Sequence, residues 1–195
     1  MKTKFVLLLA ISLLFNCSSD DSDSSPSSNC DTDIPFLQEG NSWTYQMTVF
    51  GFDNGEASMT VGQCNGSGYE VERVVPNLST GQLETGTDLW MQDGDYLINE
   101  VDNGTGTVAQ IYKKNVSVGD VWTYTRGDGH TVTHEVVAVD SLITVPAGTF
   151  SCNVFKHTTT SAINETYICW NEDFGNIKED GMGWFGLELI DYQVN

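Results

Sequence analysis

The chain has 195 residues, of which 27 are Asp or Glu and only 8 are Lys or Arg, for a formal charge of -19. That excess of acid excludes an electrostatic grip on nucleic-acid phosphate or on an anionic membrane surface. With 39% hydrophobic and 18% charged residues the chain is too apolar to be wholly disordered, and its length suits one domain.

Met1-Lys2-Thr3-Lys4 is a cationic head, and Phe5 to Phe15 is an apolar run broken only by Ser12. As a helix that run would rise about 16 Å, whereas a bilayer core needs about 20 apolar residues. It therefore reads as the hydrophobic region of a signal peptide over residues 1–16, and not as a span. Leu14-Phe15-Asn16-Cys17 follows, and then Ser18-Ser19-Asp20-Asp21-Ser22-Asp23. A Leu three residues ahead of the Cys resembles a bacterial lipoprotein signal. The Cys-Ser-Asp run resembles the lipoprotein export signals of Bacteroidetes-type bacteria. These resemblances imply a lipid on Cys17, a membrane partnership through that lipid, and display on the outer face of the outer membrane. The rival is a secreted protein with Cys17 as a free thiol. Residues 17–29 are mostly Ser and Asp and read as a tether that buries nothing. Loss of residues 1–16 removes Lys2 and Lys4 but no acid, which takes the formal charge from -19 to -21.

Residues 30–195 read as a single β domain. Ser42 to Phe50 alternates, with Trp43, Tyr45, Met47 and Val49 on one side, and Thr131 to Val139 is rich in Thr and Val. Asp53-Asn54-Gly55, Asp102-Asn103-Gly104 and Gly127-Asp128-Gly129 lie between such runs and suit tight hairpin turns. The predicted class is all-β and antiparallel, with about ten strands in one barrel-like or half-barrel curved sheet. The chain also echoes itself. Gly40-Asn41-Ser42-Trp43-Thr44-Tyr45 matches Gly119-Asp120-Val121-Trp122-Thr123-Tyr124 at an offset of 79, and Trp90 matches Trp170 at an offset of 80. This predicts two related halves, residues 40–100 and 119–180. Chance similarity between β-rich segments is the alternative.

Apart from Cys17, four cysteines remain, and an even number in an exported chain suggests disulfides. Strands over 150–158 and 164–170, paired as a hairpin, would set Val154 opposite Tyr167 and Cys152 opposite Cys169, within disulfide reach. That predicts Cys152–Cys169 and leaves Cys30–Cys64. The alternative is buried free cysteines behaving as small apolar residues. No Cys-x-x-Cys or paired Cys/His spacing points to a metal.

Val145-Pro146-Ala147-Gly148-Thr149-Phe150-Ser151-Cys152 resembles a V-P-A-G-T-F-x-C segment of exported bacterial β proteins. The resemblance implies a strand, a tight turn and a second strand, and names no activity. The chain carries no G-x-S-x-G elbow, H-E-x-x-H motif, Walker loop or dinucleotide fingerprint. His130 and His134 would share a strand face but sit about 14 Å apart, too far for one ion, and read as residues of a solvated face. Arg126-Gly127-Asp128 falls where a hairpin turn is needed. Asp93-Gly94-Asp95 and Asp53-Asn54-Gly55 fall short of a full calcium loop. No cofactor and no catalytic residues are expected. The five Trp read as core or barrel lining, with Trp43 and Trp122 the candidate ligand-binding residues. The leading expectation is a non-catalytic, lipid-anchored envelope protein in a binding or structural role, whose partner is a protein, a glycan or a lipid. The alternative is a carrier for a lipid or other apolar small ligand in the barrel.

Overall fold

The computed structural model describes residues 30–101, 107–162 and 164–195. The segments read as a signal peptide (residues 1–16) and a tether (residues 17–29), Cys17 among them, and the expected turn at Asp102-Asn103-Gly104 lie outside the described residues. The strands of the first half are β1 (Ser42–Val49), β2 (Phe52–Cys64), β3 (Tyr69–Pro76), β4 (Leu83–Asp93), β5 (Tyr96–Val101) and β6 (Thr107–Lys113). Those of the second are β7 (Val121–Thr125), β8 (Thr131–Val145), β9 (Gly148–Thr159), β10 (Thr166–Asn171), β11 (Gly175–Asp180) and β12 (Phe185–Gln193). Twelve strands exceed the expected ten because β5, β7, β10 and β11 are only five or six residues long.

All twelve form one antiparallel sheet in the order β6-β5-β4-β3-β2-β1-β12-β11-β10-β9-β8-β7. Each strand pairs with its neighbour in sequence except at β6 and β7, and β12 returns to pair along the whole of β1, from Ser42↔Gln193 to Val49↔Phe185. Side chains across the interior show how far the sheet curls. Tyr112 of β6 lies 5.1 Å from the Trp170 ring of β10 and 6.0 Å from the Phe155 ring of β9, between centroids. The result is a nearly closed barrel with its seam between β6 and β7.

Alternation explains the strands. In β1, Trp43, Tyr45 and Met47 are buried, and in β8, Val132, His134 and Val136 are. The β1–β2 turn falls at Phe50-Gly51, both with positive φ (52° and 77°), and Val49 pairs with Phe52. Asp53-Asn54-Gly55 is therefore not the turn that its composition suggested; it lies inside β2, beside a bulge at Met47/Thr48. The expected strand-turn-strand at Val145 to Gly148 is present, with Val145 paired to Gly148 across Pro146-Ala147.

The G-x-x-W-T-Y segments open β1 and β7 with one local geometry. Gly40 N donates to Val61 O and Val61 N to Asn41 O, both at 2.8 Å. Gly119 N donates to Val136 O at 2.8 Å and Val136 N to Asp120 O at 2.9 Å. Gly40 and Gly119 hold φ near +90° (87° and 91°), which glycine adopts without steric cost.

The segment before β1 plugs one end of the barrel. Ile34, Phe36 and Leu37 are fully buried, and the Phe36 ring lies against Trp43, Tyr112 and Trp170. Gly175 makes room for it: a Cβ there would come 3.3 Å from the Phe36 ring. Cys30 is bonded to Cys64, with Cα atoms 6.0 Å apart. The other predicted bridge is overturned. Cys152 and Cys169 are free and buried. The β9–β10 ladder is shifted by two residues from the expected register, so Val154 faces Cys169, Lys156 faces Tyr167, and Cys152 pairs with Ser141 of β8. Burial pushes the Cys152 thiol up to about 12 and the Cys169 thiol up to about 11, so both stay protonated.

Candidate functional site: a cavity inside the barrel

Beyond the plug the barrel is not filled. A cavity of about 310 Å³ runs from Trp90 and Trp170 past His134 and His157 to Tyr124 and Arg73. Met59, Ile111 and Ile168 supply apolar wall between them. Each polar side chain reaches the inside by strand alternation. Arg73 and Asp88 come from the adjacent strands β3 and β4, Asn99 from β5 and Glu179 from β11. His134 of β8 and His157 of β9 are direct cross-strand partners.

Polar groups on the wall fall into three sets. Arg73 grips Asp88 through Nη2 at 2.9 Å and Nε at 2.6 Å, and Asn99 donates to the second carboxylate oxygen at 3.0 Å. Asp88 is buried, so this pair neutralises a charge that could not otherwise lose its water. Asn176 donates to Glu179 Oε1 at 2.6 Å. The surface that Glu179 keeps lies on the cavity wall, and burial raises its carboxyl above the usual range while the Asn176 bond partly opposes this. His134 is 2% exposed, and its ring lies 4.8 Å from that of His157. Burial pushes His134 down to about 3, with His157 adding to the effect, and burial lowers His157 too. Both imidazoles are neutral at physiological pH.

The indole N–H groups of Trp90 and Trp170, both ring nitrogens of His134, Nδ1 of His157 and the amide oxygens of Asn99 and Asn176 have no hydrogen-bond partner. Among the described residues, every buried side-chain polar atom found without a partner belongs to a residue of this one wall. Buried polar groups in folded proteins are nearly always satisfied. Their concentration here marks the cavity as the place where something else completes them.

The predicted ligand-binding pair does not line this cavity. Trp43 sits beside the plug and donates to Phe174 O at 2.7 Å. Trp122 donates across the seam to Gln110 O at 3.0 Å. Both are wall anchors with satisfied indoles. The lining role falls to Trp90 and Trp170, the other pair at repeated spacing. His134 is likewise not on a solvated face: it stacks on Trp122, with centroids 4.9 Å apart, inside the barrel. His130 is half-buried in the β7–β8 turn, with Nδ1 3.3 Å from Thr160 Oγ1. Among the described residues no group of three His, Cys, Asp or Glu could hold a metal ion.

No family model and no curated protein sequence matches the chain. It is similar to a solved structure from Bacteroides fragilis, a protein described as exported and as having a YmcC-like fold. The two share 15% identity at a TM-score of 0.47, over 80% of this chain and 96% of that one.

Proposed function

We propose that this chain is a non-catalytic binding protein that holds a small ligand inside its barrel and is displayed at the outer-membrane surface by a lipid on Cys17. The observation that carries the binding role is the convergence of unpartnered polar groups on one cavity. A packed interaction module would fill that space with apolar side chains, because each unsatisfied buried polar group costs about 1–3 kcal/mol. Catalysis is disfavoured because, among the described residues, no histidine hydrogen-bonds a carboxylate to form an acid–base relay. Lipid anchoring is supported by the Leu14 to Cys17 segment, and an oxidising compartment by the Cys30–Cys64 bridge.

Native mass spectrometry of the protein extracted from its own membranes tests this reading. A small molecule retained by the wild-type chain and lost from Trp90→Phe/Trp170→Phe is the expected result. A bare chain in both cases would defeat the binding role, and mature protein lacking an acyl group on Cys17 would defeat the anchor.

A second reading has its own observation. Phe50 (71% exposed), Phe52 (77%), Leu78, Leu83, Met182 and Trp184 cluster on the β1–β2, β3–β4 and β11–β12 turns, all at the end opposite the plug. Such a rim suits contact with a protein partner. In that case Phe50→Ser/Phe52→Ser abolishes capture of the partner and leaves ligand retention intact.

A further inference from the structure

Glu179 is the one carboxylate on the cavity wall without a cationic partner. Asp88 is matched by Arg73 through two contacts, so that pair contributes no net charge. The nearest lysine in sequence, Lys178, points to the other face of β11, where it pairs with Glu188 at 2.7 Å. Glu179 faces inward with Ile168 of β10 and Leu187 of β12 beside it. Asn176 holds one of its oxygens, and no ion pair forms at the other among the described residues. The two imidazoles on the wall are neutral and supply no positive charge.

An acid in such a place is costly as an anion and is stabilised by a cation entering with its own apolar body. The surroundings fit that body. The rings of Trp90 and Trp170 line the same cavity, and electron-rich aromatic walls attract organic cations. The unpartnered oxygens of Asn99 and Asn176 accept from N–H groups, as an ammonium would offer. A carboxylate or phosphate ligand would meet no free cation and would face Glu179 directly.

We infer that the ligand is a small organic cation, a protonated amine carried on a ring or apolar body, with its ammonium group at Glu179. This rests on the binding role proposed above and names the chemical class that the site takes. Binding is non-covalent. Where Glu179 is protonated in the free protein, amine entry releases that proton to the buffer.

The test uses three probes of one shape at pH 7, measured by calorimetry on the intact domain: phenethylamine (cation), phenethyl alcohol (neutral) and 3-phenylpropionate (anion). The expected order is amine over alcohol over acid. Glu179→Gln should weaken the amine by about thirtyfold or more, the range for removing one partner of a buried charge pair, and leave the alcohol unchanged. Glu179→Met, which keeps the volume without charge or hydrogen bond, should do the same, and the melting temperature of each variant verifies its fold. Alcohol or acid binding as tightly as amine, or an amine affinity indifferent to both substitutions, overturns the cation assignment while the cavity remains a binding site. Failure of all three probes overturns the binding role as well.

Discussion

The barrel has two junctions between its halves, and they are built differently. Where β1 meets β12 the backbone ladder runs the length of β1. Where β7 meets β6 there is no ladder, although β7 opens with the same G-x-x-W-T-Y segment and the same local turn as β1. Side chains bridge the gap instead. Trp122 donates to Gln110 O, the Trp122 ring meets Tyr96 edge-on, and Lys113 approaches Asp120 at 3.5 Å. One sequence device thus starts two strands without deciding what pairs with them. The weaker junction lies next to the cavity, because Ile111 of β6 and Tyr124 of β7 both line it.

The largest effect should come from the laddered junction. Leu189 of β12 is fully buried behind it, and Leu189→Ala should cost about 2–5 kcal/mol in denaturant unfolding. A cost under 1 kcal/mol would mean that the ladder is not the anchor of the fold. Next comes the plug, whose covalent tie is to β2 of the first half although its Phe36 ring also packs on Trp170 of the second. Replacing Cys30 and Cys64 together by Ser opens a loop spanning 34 residues and should cost about 2–4 kcal/mol; an unchanged midpoint relative to the reduced wild type is also expected.

Acid should act on the seam before the ladder, because Trp122 stacks on His134. The folded pKa of His134, about 3, lies below its unfolded value of about 6.5. The neutral ring therefore contributes its full stability above pH 6.5, and that contribution is lost as pH falls from there toward 3. The slope is at most about 1.4 kcal/mol per pH unit. Glu179 works in the opposite sense, since its raised pKa favours the folded state as pH falls through it. The pH dependence of the melting temperature should thus steepen in Glu179→Gln above the ordinary carboxyl range and flatten in His134→Phe below pH 6.5. Hydrogen exchange at pH 5 should accelerate in β7 and β8 ahead of β1 and β12.

The smallest effect separates the two tryptophans most directly. Trp122→Phe and Trp43→Phe each remove one indole hydrogen bond, worth about 1 kcal/mol. Only Trp122→Phe should raise exchange along the facing edges of β6 and β7. Equal exchange in the two variants would show the seam to be held by something other than Trp122.

Much of the frame was legible in the sequence, since alternation in β1 and β8 and the Gly127-Asp128-Gly129 turn follow from local chemistry, whereas Asp53-Asn54-Gly55 has turn composition and lies inside β2. The candidate site was less so. Trp43 and Trp122 sit in a repeated motif, yet the Phe36 plug and the seam take them up. The Ile34-Pro35-Phe36-Leu37 run was the available sign that an apolar segment had to be buried ahead of β1. His134 and His157 meet only through the β8–β9 register, and nothing in either local sequence pairs them. The same long-range determinant undid Cys152–Cys169: a shift of two residues in one hairpin moves both partners. The Cys30–Cys64 pairing followed by elimination from that failed bridge, and only the folded plug explains it.

The Cys30–Cys64 bond also decides how the domain bears load. If the chain is held at its N terminus and dragged by flow, tension enters the domain at Cys30. Here that tension passes from Cys30 directly into Cys64, at the end of β2 near the middle of the sheet. It bypasses Ile34, Phe36 and Leu37, so a steady pull would be shared by the ladders flanking β2 while the apolar stopper beneath the cavity stays seated.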